Sequence, residues 1–184
     1  MLEDVMDALN RSNLVDQVKV LTPDKQVANH AESHGAVAMK DQEGLGINES
    51  IEEATKREIE DRGGIPLLIL PVDVPMVKAT TIDAIISRVE NSSSSLIVIT
   101  PSRDKGTNAL LRNPPDVIPA RFGPHSSEAH IWEAKTKGVR VEVYHAHDLE
   151  IALDQRLDLY EISRKGDSTR TSSYLKSVLR KKIS

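Results

Sequence analysis

The sequence contains no cysteine, which removes disulfides, thiolate nucleophiles and cysteine-based zinc sites together. Aromatic residues make up 3% of the 184 residues, with one Phe, one Trp and three Tyr. Stacking platforms for single-stranded nucleic acid are therefore not expected. Long apolar runs are missing as well. The longest stretch, IPLLILPVDVPMV, holds an Asp and three prolines and is too short to span a bilayer. The opening MLEDVMDALN carries acids on an amphipathic pattern and lacks the basic-then-apolar order of a secretory signal. A cytoplasmic protein that binds neither membrane nor nucleic acid is the expectation.

What remains is ordinary globular material, 39% hydrophobic and 28% charged, long enough for one domain with a real core. Charge is unevenly placed. The formal net charge is −4, yet the segment from Arg164 onward carries seven Lys or Arg and one acid. Residues 1–163 are read as the domain and 164–184 as a basic C-terminal tail or helix.

Hydrophobic spacing predicts a helix over 1–11, a β-branched strand in QVKVLT, and a helix in DKQVANHAESH opening at Thr22-Pro23. AVAM reads as a short strand. NESIEEATKREIEDR reads as a helix capped by Asn48 and closed by Gly63-Gly64. PLLILP does not alternate and reads as a fully buried strand. A helix follows in TTIDAIISRVEN, broken at Asn91–Ser94, and then a second buried strand, SLIVIT. SSEAHIWEAKTKG is a helix with Ser126 or Ser127 as cap, on which Trp132 is expected in the core. VRVEVYHA is a strand and DQRLDLYEIS a helix. This alternation predicts an α/β fold with a mostly parallel, doubly wound sheet and helices on both faces.

Ligands of such sheets bind beyond the carboxyl ends of the strands. Two places qualify: the end of LLILP, where Asp73 follows, and the end of LIVIT, which runs into RDKGTNALLRNPPDVIPARFGPHSSEAH. Asp73 fits either a hard-cation ligand or a turn acid. The second stretch, dense in Gly, Pro, Asn and Ser, reads as a loop that builds a site. His145 and His147 lack a third ligand nearby in sequence and do not make a metal site. His125 offers a charge-assisted bond beside the loop.

LLILPVDVP, RDKGTNALL, RFGPHSSEAH and LEIALDQRLDL, in that order, resemble the 2-phospho-L-lactate guanylyltransferases of coenzyme F-420 biosynthesis. The resemblance runs from about Met1 to Ile162. It implies a Rossmann-like nucleotidyltransferase fold, and an enzyme that joins a phosphorylated three-carbon acid to GTP with release of pyrophosphate. It further implies Asp73 and Asp154 as catalytic magnesium ligands, and Thr107, Gly123 and Ser126 as donors to the phosphorylated acid. Backbone amides and a helix N-terminus suit such an anion. Asn48 matches a nucleotide contact, although an N-cap accounts for it equally. Candidate acids are 2-phospho-L-lactate, phosphoenolpyruvate and 3-phospho-D-glycerate, and a homodimer is compatible with each.

Two departures qualify the resemblance. The family pairs its late acids as Asp-x-Asp, whereas this chain has Ala152 before Asp154; Glu150, expected on the same side of a strand, is a substitute ligand. The family also places a strand and a basic loop around the triphosphate ahead of the first helix, so an N-terminally incomplete domain is expected. The competing readings are a non-catalytic homologue and a sugar-phosphate or molybdopterin nucleotidyltransferase.

Overall fold

The computed structural model describes residues 1–41, 44–90, 94–165 and 169–181. Helix α1 (Leu2–Asn10) leads to strand β1 (Lys19–Thr22), helix α2 (Lys25–Ser33), strand β2 (Val37–Lys40) and helix α3 (Ile47–Arg62). Then come β3 (Leu67–Ile69), α4 (Ala79–Glu90), β4 (Leu96–Pro101) and β5 (Thr107–Asn113). The chain continues through α5 (Ser126–Thr136), β6 (Arg140–Val143), α6 (Arg156–Lys165) and α7 (Arg170–Lys181).

β1 and β2 form a parallel pair, and the other four strands form a sheet of order β3-β5-β4-β6. β4 and β6 are parallel, but β5 runs antiparallel to both of its neighbours. The sheet is therefore mixed, which corrects the mostly parallel expectation. The stretch responsible is TNALLRN, read from composition as loop. Six of its seven residues are buried, because it is an interior strand packed on both faces, and such a strand shows no alternation.

Side chains of β4 and β5 divide between two cores with the two-residue period of a strand. Leu96, Val98, Ala109 and Leu111 join Val5 of α1 and Ile82 and Ile85 of α4. Ile97, Ile99 and Leu110 face the other way, onto Ile118 and Ala134 of α5. Helices thus cover both faces, as expected. β3 is only half-buried, since as an edge strand it pairs with β5 alone; the fully buried reading of PLLILP is corrected. Trp132 is 64% exposed, so it is not core: the buried residues of α5 are Ser126, Ser127, His130 and Ala134. The break expected at Asn91–Ser94 lies, except for Ser94, outside the described residues.

Helix caps also differ from the sequence reading. α2 is capped by Asp24, whose carboxylate accepts from the amides of Gln26 and Val27, a standard N-terminal bond for Asp. α3 begins one residue before Asn48, with Gly46 as its N-cap. At the other end of the chain, α7 is seated on α1. Asp4, buried on α1, accepts from the amides of Arg170 at 2.7 Å and Thr171 at 3.0 Å. The basic segment is thus, over Arg170–Lys181, a docked helix.

Among the described residues the most buried charge is Arg112 in β5, with no side-chain exposure. Its guanidinium donates to Glu52 at 3.0 Å, to the Ile118 carbonyl at 2.9 Å and to Thr55 at 2.6 Å. One sheet residue thereby fixes α3 and the 118–120 segment. Burial lowers its pKa, against the opposing pull of Glu52. Arg112→Ala is expected to cost about 3–5 kcal/mol in chemical denaturation, the range for removing one partner of a buried ion pair. A loss under about 1 kcal/mol would show that α3 is held independently.

Candidate functional site

Because β5 reverses between β3 and β4, its first residue stands where β3, β4 and β6 end. Asp73 follows β3, the Ser102–Gly106 turn follows β4, Thr107 opens β5, and Asp154 lies in the segment after β6. Backbone and side-chain bonds lace these segments together. The Leu153 amide donates to the Asp73 carbonyl at 2.9 Å. Asn108, buried in β5, donates to the Leu149 carbonyl at 2.6 Å. Asp148 accepts from the Lys78 amide and the Thr81 hydroxyl at 2.9 and 2.8 Å, holding the start of α4.

Asp73 and Asp154 come within electrostatic reach of one another. Burial pushes the Asp73 carboxyl above the ordinary aspartate range, and the negative charges of Asp154 and then Asp104 add to the rise. Its Oδ1 is buried and has no hydrogen-bond partner. A buried carboxylate oxygen without a donor, facing further carboxylates, is costly unless a cation or proton joins it. That donor set, oxygen only, suits magnesium. Asp154 is exposed, beside an open cavity of ≈ 760 Å³ between the Ser102–Asp104 turn and α6.

Glu150 lines the same cavity, but β6 ends at Val143 and residues 150–154 form no strand. The same-side argument linking it to Ala152 therefore fails. Glu150 is bonded to His147 at 3.1 Å, while Ala152 packs against the main core. On the cavity's α6 side, Arg103 grips Glu161 with two bonds of 2.6 and 2.8 Å. Arg103, then Lys165, draws the Glu161 carboxyl down to about 2.

Thr107, Gly123 and Ser126 are brought together. The Ser126 hydroxyl donates to Thr107 Oγ1 at 3.0 Å, and the Ser126 amide to the Gly123 carbonyl at 3.1 Å. Gly123 has φ 136, a conformation that side chains rarely adopt. Ser127 donates its amide and hydroxyl to the Lys105 carbonyl at 3.1 and 2.8 Å, joining α5 to the turn after β4. In that turn a Cβ on Gly106 would sit 2.7 Å from Ser102 Oγ, so a side chain there would displace the Ser102 hydroxyl from Asp104. His125 is exposed, in the left-handed region, and lies 3.6 Å from Glu128.

His130, which flanks the proposed acid site in sequence, carries no assigned role from sequence alone. Fully buried, it accepts the Arg121 amide on Nε2 at 2.9 Å and contacts Thr107 Oγ1 through Nδ1 at 3.1 Å. An acceptor Nε2 fixes the neutral tautomer with its proton on Nδ1. Thr107 Oγ1 then accepts from both Ser126 and His130, which leaves its own hydroxyl proton to donate outward. Burial, with the positive charges of Arg112 and Arg121, lowers the His130 pKa to about 4. Asn48, which lies inside α3 and does not cap it, is bonded twice to the backbone of one residue: Nδ2 to the Phe122 carbonyl at 3.0 Å and Oδ1 from its amide at 2.6 Å. Its amide is occupied in shaping the loop before Gly123.

A group of different composition lies elsewhere. Glu3, His30 and His34 are the set among the described residues whose ligand atoms cluster closely enough to hold a metal ion. Among the same residues, no helix is long and apolar enough to cross a membrane.

Comparison with known proteins identifies the frame into which these residues fit. Residues 1–183 match the family model "Guanylyl transferase CofC like". The chain belongs to that family. It is therefore a nucleotidyltransferase. It is 34% identical over 166 residues to the phosphoenolpyruvate guanylyltransferase of Rubrobacter xylanophilus, covering 90% of this chain and 79% of that protein. It is 29% identical over 178 residues to the 2-phospho-L-lactate guanylyltransferase of Methanocaldococcus jannaschii, covering 97% and 75%. Among solved structures, a putative nucleotide-diphospho-sugar transferase from Desulfovibrio desulfuricans G20 superposes with a TM-score of 0.76 over 95% of this chain and 78% of that one, at 15% identity. That likeness establishes the nucleotidyltransferase type of α/β fold.

The protonation state of His130 sets a pH signature. The folded protein keeps the imidazole neutral down to about 4, against 6.5 as the ordinary value, so the unfolded chain binds the proton first as pH falls. Stability is complete above about 6.5 and is lost toward 4, by roughly 3 kcal/mol for this one group. Urea denaturation across that window should show a shallower slope for His130→Asn than for the natural chain. Identical slopes would mean that His130 does not titrate on unfolding.

Proposed function

We propose that the protein transfers the guanylyl group of GTP to a phosphorylated three-carbon acid in coenzyme F-420 biosynthesis. An oxygen of the acid's phosphate attacks the α-phosphorus of GTP, a new phosphoanhydride P–O bond forms, and the bond to the β-phosphate breaks to release pyrophosphate. Two anions must meet, so alignment and charge neutralisation supply most of the acceleration. The supporting observation is the buried, unpartnered Oδ1 of Asp73 in the field of Asp154, at the strand ends where Thr107 and Ser126 also stand.

In this reading Asp73 and Asp154 hold magnesium, which supplies positive charge to the phosphate oxygens. Thr107 donates its hydroxyl proton to the acid's phosphate. Ser126 and His130 act as positioning residues, since their bonds to Thr107 Oγ1 aim that proton. Gly123 supplies a backbone amide that no side chain crowds. Asn48 contributes to nucleotide binding through the shape it imposes on the Phe122 backbone, rather than by touching the base. Phosphoenolpyruvate and 2-phospho-L-lactate share the phosphate and carboxylate that this set would engage.

Pyrophosphate release from GTP is the direct assay, run with 2-phospho-L-lactate, phosphoenolpyruvate, 3-phospho-D-glycerate and a sugar phosphate as acceptors. One of the three acids should support turnover, and preference for the sugar phosphate would overturn the assignment. Asp73→Asn should lower the magnesium-dependent rate by ~100-fold or more with an unchanged melting temperature. Thr107→Val should raise KM for the acid by ~10–100-fold, the equivalent of about 1.5–3 kcal/mol for one hydrogen bond to a charged group, with KM for GTP nearly constant. Equal rises for both substrates would remove Thr107 from the acid site.

A further inference from the structure

Away from the strand ends, α1 and α2 bring three metal-ligating side chains together. Glu3 lies in the first turn of α1; His30 lies near the end of α2 and His34 is its C-cap. His30 and His34 are four residues apart, so both project from one side of the helix. His30 Nε2 is 2.9 Å from Glu3 Oε1, and the two imidazole rings are 4.4 Å apart between centroids. One ligand atom from each of the three side chains lies within 4.8 Å of the others, and all three residues are half-buried. An ion can reach them from solvent.

The surrounding bonds orient the donors. His34 Nδ1 is 2.9 Å from the His30 carbonyl; donation there leaves Nε2 with its lone pair, the usual support of a metal-binding imidazole. The second oxygen of Glu3 is ion-paired with Arg170, 2.9 Å from its Nε. Asn10 Nδ2 donates to the His34 carbonyl at 3.1 Å, which ties the ends of α1 and α2. Beneath, Met6 and Ala31 are buried in one small core with Leu2 packed against it. The two helices are thus already docked before any ion arrives.

We infer that Glu3, His30 and His34 form a binding site for one divalent transition-metal ion of the zinc class. Two imidazole nitrogens and a carboxylate oxygen suit zinc, nickel or copper, whereas magnesium takes oxygen ligands. Bonds of about 2.0–2.2 Å to a tetrahedral ion place donor atoms about 3.4 Å apart. The Glu3–His30 pair is already near that spacing, and His34 closes on it by side-chain rotation. The ion takes the place of the direct His30–Glu3 contact, and water fills its fourth position. Because Glu3 also holds Arg170, the ion clips α1 to α2 and bears on the seat of α7. This site is separate from the carboxylates at the strand ends and does not depend on the proposed guanylyl transfer.

The test uses the full chain, stripped with a chelator and titrated with Zn²⁺ by calorimetry and with Co²⁺ by visible absorption. One ion per chain should bind, raise the melting temperature, and resist excess Mg²⁺. His34→Ala and Glu3→Gln should each weaken binding by about 10-fold or more, and His147→Ala should leave it unchanged. A reading that needs no variant is the imidazole NMR spectrum, in which substoichiometric Cu²⁺ should broaden two histidines selectively, identified as His30 and His34. Undiminished binding in both variants, loss in His147→Ala, or broadening of other histidines would overturn the site.

Discussion

The paired backbone ladders of β5 are the constraint on which the site rests. Leu110 and Leu111 are in register with β3 on one side and with β4 on the other. An antiparallel strand between two that run the opposite way places its first residue beside their last. Thr107 consequently stands at the edge where Asp73, the Ser102–Gly106 turn and the segment after β6 gather. An all-parallel sheet would put the start of the same strand at the far edge. The reversal brings acid-binding and cation-binding candidates onto one rim.

Around that rim, polar groups are used to fix backbone rather than to face water. Asn48 holds the Phe122 peptide unit, Glu52 accepts from Arg112 and from the Ala120 amide at 2.8 Å, and Asn108 holds Leu149. Such bonds net little each but are expensive to leave unmade inside the protein. They convert a Gly- and Pro-rich stretch, which would otherwise be mobile, into a shaped loop. Thr100 Oγ1 and Arg112 Nε are, like Asp73 Oδ1, buried without a partner, but the Asp73 oxygen differs from them in being an acceptor that lies in the field of other carboxylates.

Much of the frame was legible in the sequence. α1, with a clear apolar face, and α3, bounded by glycines on both sides, fall within a residue or two of their expected bounds, as do β1, β2 and β4. β5 escaped because its signal is ambiguous: TNALLRN is short, buried on both sides, and flanked by a glycine turn and a Pro-Pro pair. Trp132 was misplaced because a large apolar side chain is normally evidence of core, yet here small residues face the sheet. Asn48 fits a cap by composition, and only the long-range partner Phe122 reveals its use. Asp73, Thr107, Gly123, Ser126 and Asp154 came from ordered motifs rather than from periodicity, since convergence of segments so far apart leaves no local trace. His130 could be placed beside the acid site from sequence, but its partners Thr107 and Arg121 are set by tertiary packing and leave no local signal.

The bond from Asp4 to the first turn of α7 spans 166 positions of the chain. Loop-closure entropy grows with the length enclosed, so this contact gains most when the sheet between has already shortened the path. A chain emerging from the ribosome presents Asp4 long before Thr171, which follows 167 positions later. Until then Asp4 must be kept in water or borrow another donor. The docking of α7 on α1 therefore depends on the folding of everything between them, and a defect in the sheet loosens this contact too.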